Sequence, residues 1–209
     1  MSDLQISLPD TLHANEVSQL LDVFAETFSG KPSFRHMFRK SATRVATTRW
    51  VGSCKWRLFE RAYRIVLAKD RGQVVGFSLW LPPGSRWPSL LQELQAGFYR
   101  APLVAGIAGT RRMLGFAAQE TAITRQHAIE AQRWILDVIA VSSSAQRQGL
   151  GGRLMAPMLD TMAKNGAGCF VLTRNERNVA FYRKYGFSSV VTEEIGDTGI
   201  VAYGLCRDP

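Results

Sequence analysis

The sequence predicts a single mixed α/β domain built around one sheet, and three observations predict it. Residues 63–81 read as a hairpin of two apolar strands joined by a short polar turn. Residues 134–187 run strand, glycine-rich turn, helix, strand, second helix. Two more strands follow, and neither an internal repeat nor a low-complexity linker divides the chain. Strands and helices in that order describe layers on one core, not two domains. At 209 residues with 46% hydrophobic content, the chain is long enough to bury such a core.

From the N-terminus, residues 4–8 alternate in polarity and read as an edge strand closed by Pro9-Asp10. His13 or Asn15 precedes a helix whose apolar face is Val17, Leu20, Leu21, Phe24 and Phe28, and Gly30 with Pro32 ends it. Residues 34–38 and 42–61 read as helical, with many arginines facing outward. Strands at 63–68 and 74–81 flank the turn Asp70-Arg71-Gly72, and Pro82-Pro83-Gly84 stops the second. Residues 87–132 are the least legible. Leu90, Leu91 and Leu94 suggest one helix, residues 113–129 another, and an apolar glycine-rich stretch, 97–109, lies between. The segment reads equally as helices covering a sheet face and as an insertion lining a specificity pocket. Trp80, Leu81 and residues 103–107 read as pocket wall or as a subunit contact, which would make a homodimer.

Residues 134–141 form a nearly continuous apolar run rich in β-branched side chains, the pattern of a buried strand. After Ser142-Ser143-Ser144-Ala145 comes the glycine-rich turn, and the chain becomes helical at once. Leu150, Leu154, Met155, Met158, Leu159 and Met162 recur at a 3.6-residue period and give that helix one apolar face. Residues 165–168 stop it, and residues 169–173 are a second buried-type strand. Asn178 caps a short helix over 179–185. Gly186 suits the left-handed position after it, which turns Phe187 back towards Tyr182. Strands at 188–195 and 200–206 close the chain around Gly196-Asp197-Thr198-Gly199.

A formal charge of +9 favours an anionic partner. The basic residues are scattered along helical stretches, with no recognition helix or aromatic–basic signature, so nucleic acid is not expected. Cys54, Cys169 and Cys206 are too widely spaced for a disulfide framework or a zinc site, and with three histidines no metal is expected. The sequence has no cleavable leader and no apolar run of about 18 residues, so the expectation is a cytoplasmic protein without membrane association.

A strand feeding a helix through glycines suits an anion, because the helix's first amides lack internal partners and its dipole favours negative charge. The nucleoside-triphosphate loop requires Lys-Ser/Thr after its glycine, where this chain has Gly152-Arg153. The dinucleotide fingerprint requires a glycine where this chain has Leu154, and an acid after the next strand, which here ends at Thr173-Arg174. The remaining pattern is Gln146-Arg147-Gln148-Gly149-Leu150-Gly151 followed by Asn175, Asn178, Tyr182 and Gly186-Phe187. Together, in that order and spacing, the two motifs resemble the GNAT family, the acyl-CoA-dependent N-acetyltransferases. The Leu79-Trp80-Leu81-Pro82-Pro83-Gly84 strand end is similar to the branch holding puromycin N-acetyltransferase-like proteins.

The resemblance implies a mixed, mostly antiparallel sheet of about six or seven strands with helices on both faces. It implies acetyl-CoA as co-substrate, no metal, and direct transfer to a primary amine, here of a small molecule; a protein or peptide acceptor and a silent CoA-binding module are the alternatives. The amides of Arg147, Gln148, Gly149, Leu150, Gly151 and Gly152 would bind the CoA pyrophosphate, with Gln146 in the same loop and charge added by Arg147 or Arg153. Main-chain groups of Ile139, Ala140 and Val141 would pair with the pantetheine arm where the sheet splays. Asn175 or Asn178 would hydrogen-bond the cofactor, and Tyr182 would protonate the departing thiolate.

Such chemistry needs a donor for the polarised carbonyl oxygen and an acid for the leaving thiolate, but no enzyme nucleophile. The base that deprotonates the amine is read from the residues alone. Asp137 interrupts an apolar strand on the face of Ile135 and Ile139, where a charge requires a reason. It reads as the base or as the partner of an arginine such as Arg133. Glu120, His127 and Glu130 are weaker candidates.

Overall fold

A computed structural model describes residues 3–129 and 131–209. The strands are β1 (Leu4–Ser7), β2 (Arg64–Asp70), β3 (Gln73–Leu81), β4 (Trp134–Val141), β5 (Cys169–Thr173), β6 (Ser188–Glu194) and β7 (Val201–Arg207). They form one seven-stranded sheet in the order β1-β2-β3-β4-β5-β7-β6. Neighbours are antiparallel except β4 and β5, which are joined by a crossover and run parallel. The mixed, mostly antiparallel sheet expected from the sequence is therefore present.

The helices are α1 (Ala14–Phe28), α2 (Pro32–Met37), α3 (Ser41–Phe59), α4 (Leu90–Gln95), α5 (Ala101–Thr124), α6 (Leu150–Lys164) and α7 (Glu176–Arg183). Two apolar cores lie on opposite faces of the sheet. Helices α1, α2, α3 and α5 pack with Ile65, Leu67, Phe77, Leu79 and Ile135 on one face. Helices α6 and α7 pack with Val66, Trp80, Leu136 and Val171 on the other. All six apolar residues assigned to the face of α6 are buried, as the period requires. Gly186 takes φ 83°, and the Phe187 ring lies 5.7 Å from that of Tyr182.

The structure departs from the sequence reading in the middle segment. Helix α5 begins at Ala101, not near residue 113, and passes through a kink at Gly106 (φ 71°, ψ 163°) that conceals the helix in the sequence. Leu103 and Ile107 are 87% and 75% exposed, so the 103–107 run lines no pocket. Helix α4 buries none of its leucines. Trp80 and Leu81 are fully buried in the two cores, which excludes them as a subunit contact.

Burial pushes the Cys169 thiol up to about 12 and raises the phenols of Tyr63 and Tyr182 above their ordinary range. All three are more acidic in the unfolded chain. Their contribution to stability is therefore complete below about pH 9 and is lost as pH rises towards about 12. The thermal midpoint is expected to be level between about pH 7 and 9 and to fall steeply by about pH 11. A midpoint unchanged at pH 11 would contradict the burial of these groups.

Candidate active site

The site begins where two parallel strands part. Pairing between β4 and β5 covers Trp134–Cys169, Ile135–Phe170 and Leu136–Val171, and then stops. Past Leu136 the β5-facing edge of β4 has no strand beside it. Ser142 N–H donates to Val75 O at 2.9 Å. By the alternation of an antiparallel ladder, the main-chain groups of Ala140 then face β3, and those of Ile139 and Val141 face the gap. Of the three residues assigned to the pantetheine arm, Ala140 is thus turned away from it. The Val141 carbonyl accepts from Gln146 Nε2 at 3.0 Å and from Thr27 Oγ1 at 3.4 Å, so Gln146 braces the loop.

The glycine-rich turn follows. Arg147 (φ 63°) and Gly149 (φ 73°) are both left-handed, which rotates successive amides to one side of the chain. Gly149 is the N-cap of α6 and supplies this geometry without side-chain cost. The amide of Gly152 is satisfied by Gly149 O at 3.1 Å and is not available to a ligand. The Leu150 side chain is core, so this residue offers its backbone alone. Gln148 Nε2 reaches Ser144 O at 3.3 Å, while Arg147 and Arg153 are exposed beside the turn.

Across the gap, Asn175 and not Asn178 caps α7, its Oδ1 accepting from Arg177 N–H at 3.2 Å. Asn178 lies one turn further on and donates through Nδ2 to Thr173 Oγ1 at 3.1 Å. The two amides touch, Asn175 Nδ2 to Asn178 Oδ1 at 3.4 Å. Tyr182 comes from the same helix, its ring held between Phe181 and Phe187. Its hydroxyl makes no hydrogen bond with the described residues. At neutral pH the phenol is protonated, and burial raises it above its ordinary range, which makes it a weaker acid than an exposed tyrosine.

Ile139, Asn175, Asn178 and Tyr182 line a cavity of about 420 Å³ that passes through the gap in the sheet to the α1, α2 and α5 layer, and the glycine-rich turn lies outside its lining. Asp137 projects into it because of a bulge. Leu79 pairs with Val138 and Trp80 with Leu136, which leaves Asp137 as an extra residue on β4. The bulge shifts the phase of the strand, so Ile135 and Val138 share one face and Ile139 packs on the other. The expectation that Asp137 shares a face with both Ile135 and Ile139 is corrected by this extra residue. Its partners are Lys55 Nζ, 2.6 Å from Oδ1, and the Tyr63 hydroxyl, which donates to Oδ2. Arg133 pairs with Asp208 instead.

A second ion pair, Glu120 with Arg174, forms another part of the wall. Among the described residues, Arg174 Nε completes no hydrogen bond although it is buried. His127 stacks on Phe170 at 6.1 Å and does not line the cavity. Glu130 lies outside the described residues. Among the described residues, no cluster of His, Cys, Asp or Glu is placed to hold a metal ion, and no helix is long and apolar enough to cross a membrane. Sequence reasoning missed Lys55, Tyr63, Arg174 and the aromatic wall of Phe28, Phe34, Phe98 and Phe116. The only local signal for the wall was the helical spacing of Phe24 and Phe28.

The family model described as "Acetyltransferase (GNAT) family" matches residues 31–187. The uncharacterized N-acetyltransferase YjcF of Bacillus subtilis is 32% identical over 73 residues, 35% of this chain and 52% of that protein. The match therefore spans about half the length of this curated relative. A histone acetyltransferase HPA2 and related acetyltransferase from Corynebacterium glutamicum superposes with a TM-score of 0.72 at 19% identity, covering 100% of this chain and 97% of that one. PH1933 from Pyrococcus horikoshii gives 0.60 at 16% identity, covering 99% of each chain. At these identities the two structures share the fold.

Proposed function

The chain belongs to the acetyltransferase (GNAT) family, and from that premise we propose that it moves an acetyl group from acetyl-CoA to the primary amine of a small molecule. The observation that carries this reading is the early end of the β4–β5 pairing beside the first amides of α6. An unpaired strand edge suits the amide-bearing pantetheine arm. The amides of Gln148, Gly149, Leu150 and Gly151 suit the pyrophosphate, with charge from Arg147 and Arg153. A cavity of about 420 Å³ supports a small acceptor, in line with the resemblance to puromycin N-acetyltransferase-like proteins.

In the proposed reaction the neutral amine attacks the thioester carbonyl, and an outward N–H of β4 near Ile139 donates to the oxygen as it gains charge. The C–N bond forms, the C–S bond breaks, and Tyr182 gives its proton to the sulfur. Asp137, held by Lys55 and Tyr63, receives the amine's proton directly or through one water. Asn175 and Asn178 border the path of the arm and hold the start of α7, and so Tyr182, in place.

Thermal unfolding with acetyl-CoA, CoA and ATP in parallel tests the cofactor. At about 100 times its dissociation constant, a ligand selective for the folded state adds about 2.7 kcal/mol. A rise in midpoint with both CoA species and none with ATP is expected; no rise with either removes this reading. Asp137→Asn is expected to lower kcat/KM by about 100-fold and to flatten the acid limb of its pH profile. An unchanged profile would assign the base elsewhere. Stabilisation by CoA with no thiol release for any amine would instead support a silent CoA-binding module.

A further inference from the structure

The cavity on the α1, α2 and α5 side of the gap is walled by rings. Phe24, Phe28 and Phe34 form a contiguous cluster with centroids 4.7 to 6.1 Å apart. Phe98 and Phe116 approach the same space from the other segments, and the Arg174 guanidinium lies 6.0 Å from the Phe116 centroid. Phe28, Phe34 and Phe98 are only half-buried. All three also line the cavity, where a flat apolar group can stack on them or meet them edge-on.

The charges narrow the choice further. Lys31, Lys55 and Arg174 line the cavity with Asp137 and Glu120, and three cations against two acids leave a formal +1. Both acids already have cationic partners. A polyamine would bring several positive charges to a site with no spare carboxylate, and Lys31 at the rim would repel it. One amino group on an uncharged aromatic body brings a single charge and meets a smaller penalty. A long acyl chain fits less well, because it would bury these ion pairs without offering them any hydrogen bond.

We propose that the acceptor is a primary amine carried on an aromatic body, its ring seated among Phe28, Phe34, Phe98 and Phe116 and its amino group directed to Asp137. This rests on the acetyl transfer proposed above and specifies its second substrate. The amine loses one proton and becomes an aryl-bearing acetamide, with CoA thiol as the other product.

The test is thiol release from acetyl-CoA by the whole chain with phenethylamine and tryptamine against butylamine, spermidine and a short lysine-containing peptide. The aryl amines are expected to exceed butylamine in kcat/KM by about 10-fold or more, the selectivity that burial of one ring supplies, with spermidine and the peptide lowest. Phe34→Ala is expected to cut the aryl-to-butyl ratio about 10-fold, measured on protein that still shows the CoA-dependent rise in thermal midpoint. Butylamine, spermidine or the peptide matching the aryl amines overturns the proposal. So does a gain in turnover when octanoyl-CoA replaces acetyl-CoA with butylamine, which would make the cavity an acyl site. CoA stabilisation without turnover of either aryl amine overturns it as well. Absence of CoA stabilisation is a different failure and removes the acetyl-transfer reading itself.

Discussion

Tyr182→Phe is expected to reduce turnover by about 100-fold, or about 2.7 kcal/mol in the barrier, with CoA affinity changed by less than about threefold. The substitution deletes one hydroxyl and keeps the ring that packs against Phe181 and Phe187. The lost oxygen makes no hydrogen bond with the described residues, so the fold loses little with it. Under the proposed function it removes the proton source for the leaving sulfur, a phenol on the cavity wall. A thiolate would then leave unprotonated. The pairing of steady-state turnover with CoA titration separates the two roles. A fall in kcat at constant CoA affinity supports the acid, whereas a collapse in affinity together with the thermal midpoint would make Tyr182 structural.

The largest loss of stability is expected from Gly204 on β7. A Cβ placed there would lie 2.4 Å from Val191 Cγ1 and 3.0 Å from Phe170 Cε2. Neither neighbour can readily give way. Val191 is fixed by its pairing with Gly204 across β6 and β7, and Phe170 is fully buried on β5. Gly204→Ala is expected to cost about 1–3 kcal/mol through overpacking. In a chain of this size each kcal/mol lowers the midpoint by about 2–4 °C. The reading would be overturned by a midpoint within about 1 °C of the parent. The clashing side chains, Val191 and Phe170, do not line the cavity, so CoA should still stabilise whatever protein remains folded.

The two expectations differ in how much of each could be read from the chain. The face of α6, the hairpin of β2 and β3, and the turn of Phe187 back to Tyr182 are local and periodic, and they stand in the sequence as they stand in the fold. The sheet's gap followed from the family resemblance, not from any residue in it. What was hidden depends on distant partners. The bulge at Asp137 is set by the register against β3, and its partners Lys55 and Tyr63 lie 82 and 74 residues away. Asn175 and Asn178 are both good caps one turn apart, so composition could not choose between them. The leucines of α4 have the same spacing whether they meet a core or solvent, and here they meet solvent. Gly106 reads as a break, and its non-helical backbone (φ 71°, ψ 163°) does divide α5 into a short first piece and a long second one.

The short seam between β4 and β5 bears on how material enters and leaves. Strands β1 to β4 form one stiff plate and β5 to β7 another, each braced by long antiparallel ladders, while three residue pairs join the two. Two plates on a narrow join flex about it more easily than either bends within itself. Under the proposed function the mouth that widens in that motion is the one through which the arm of CoA would thread, and a bound arm would bridge both plates as a temporary strut. Loading would then stiffen the domain and product release would loosen it, so the frame is complete only while it is at work.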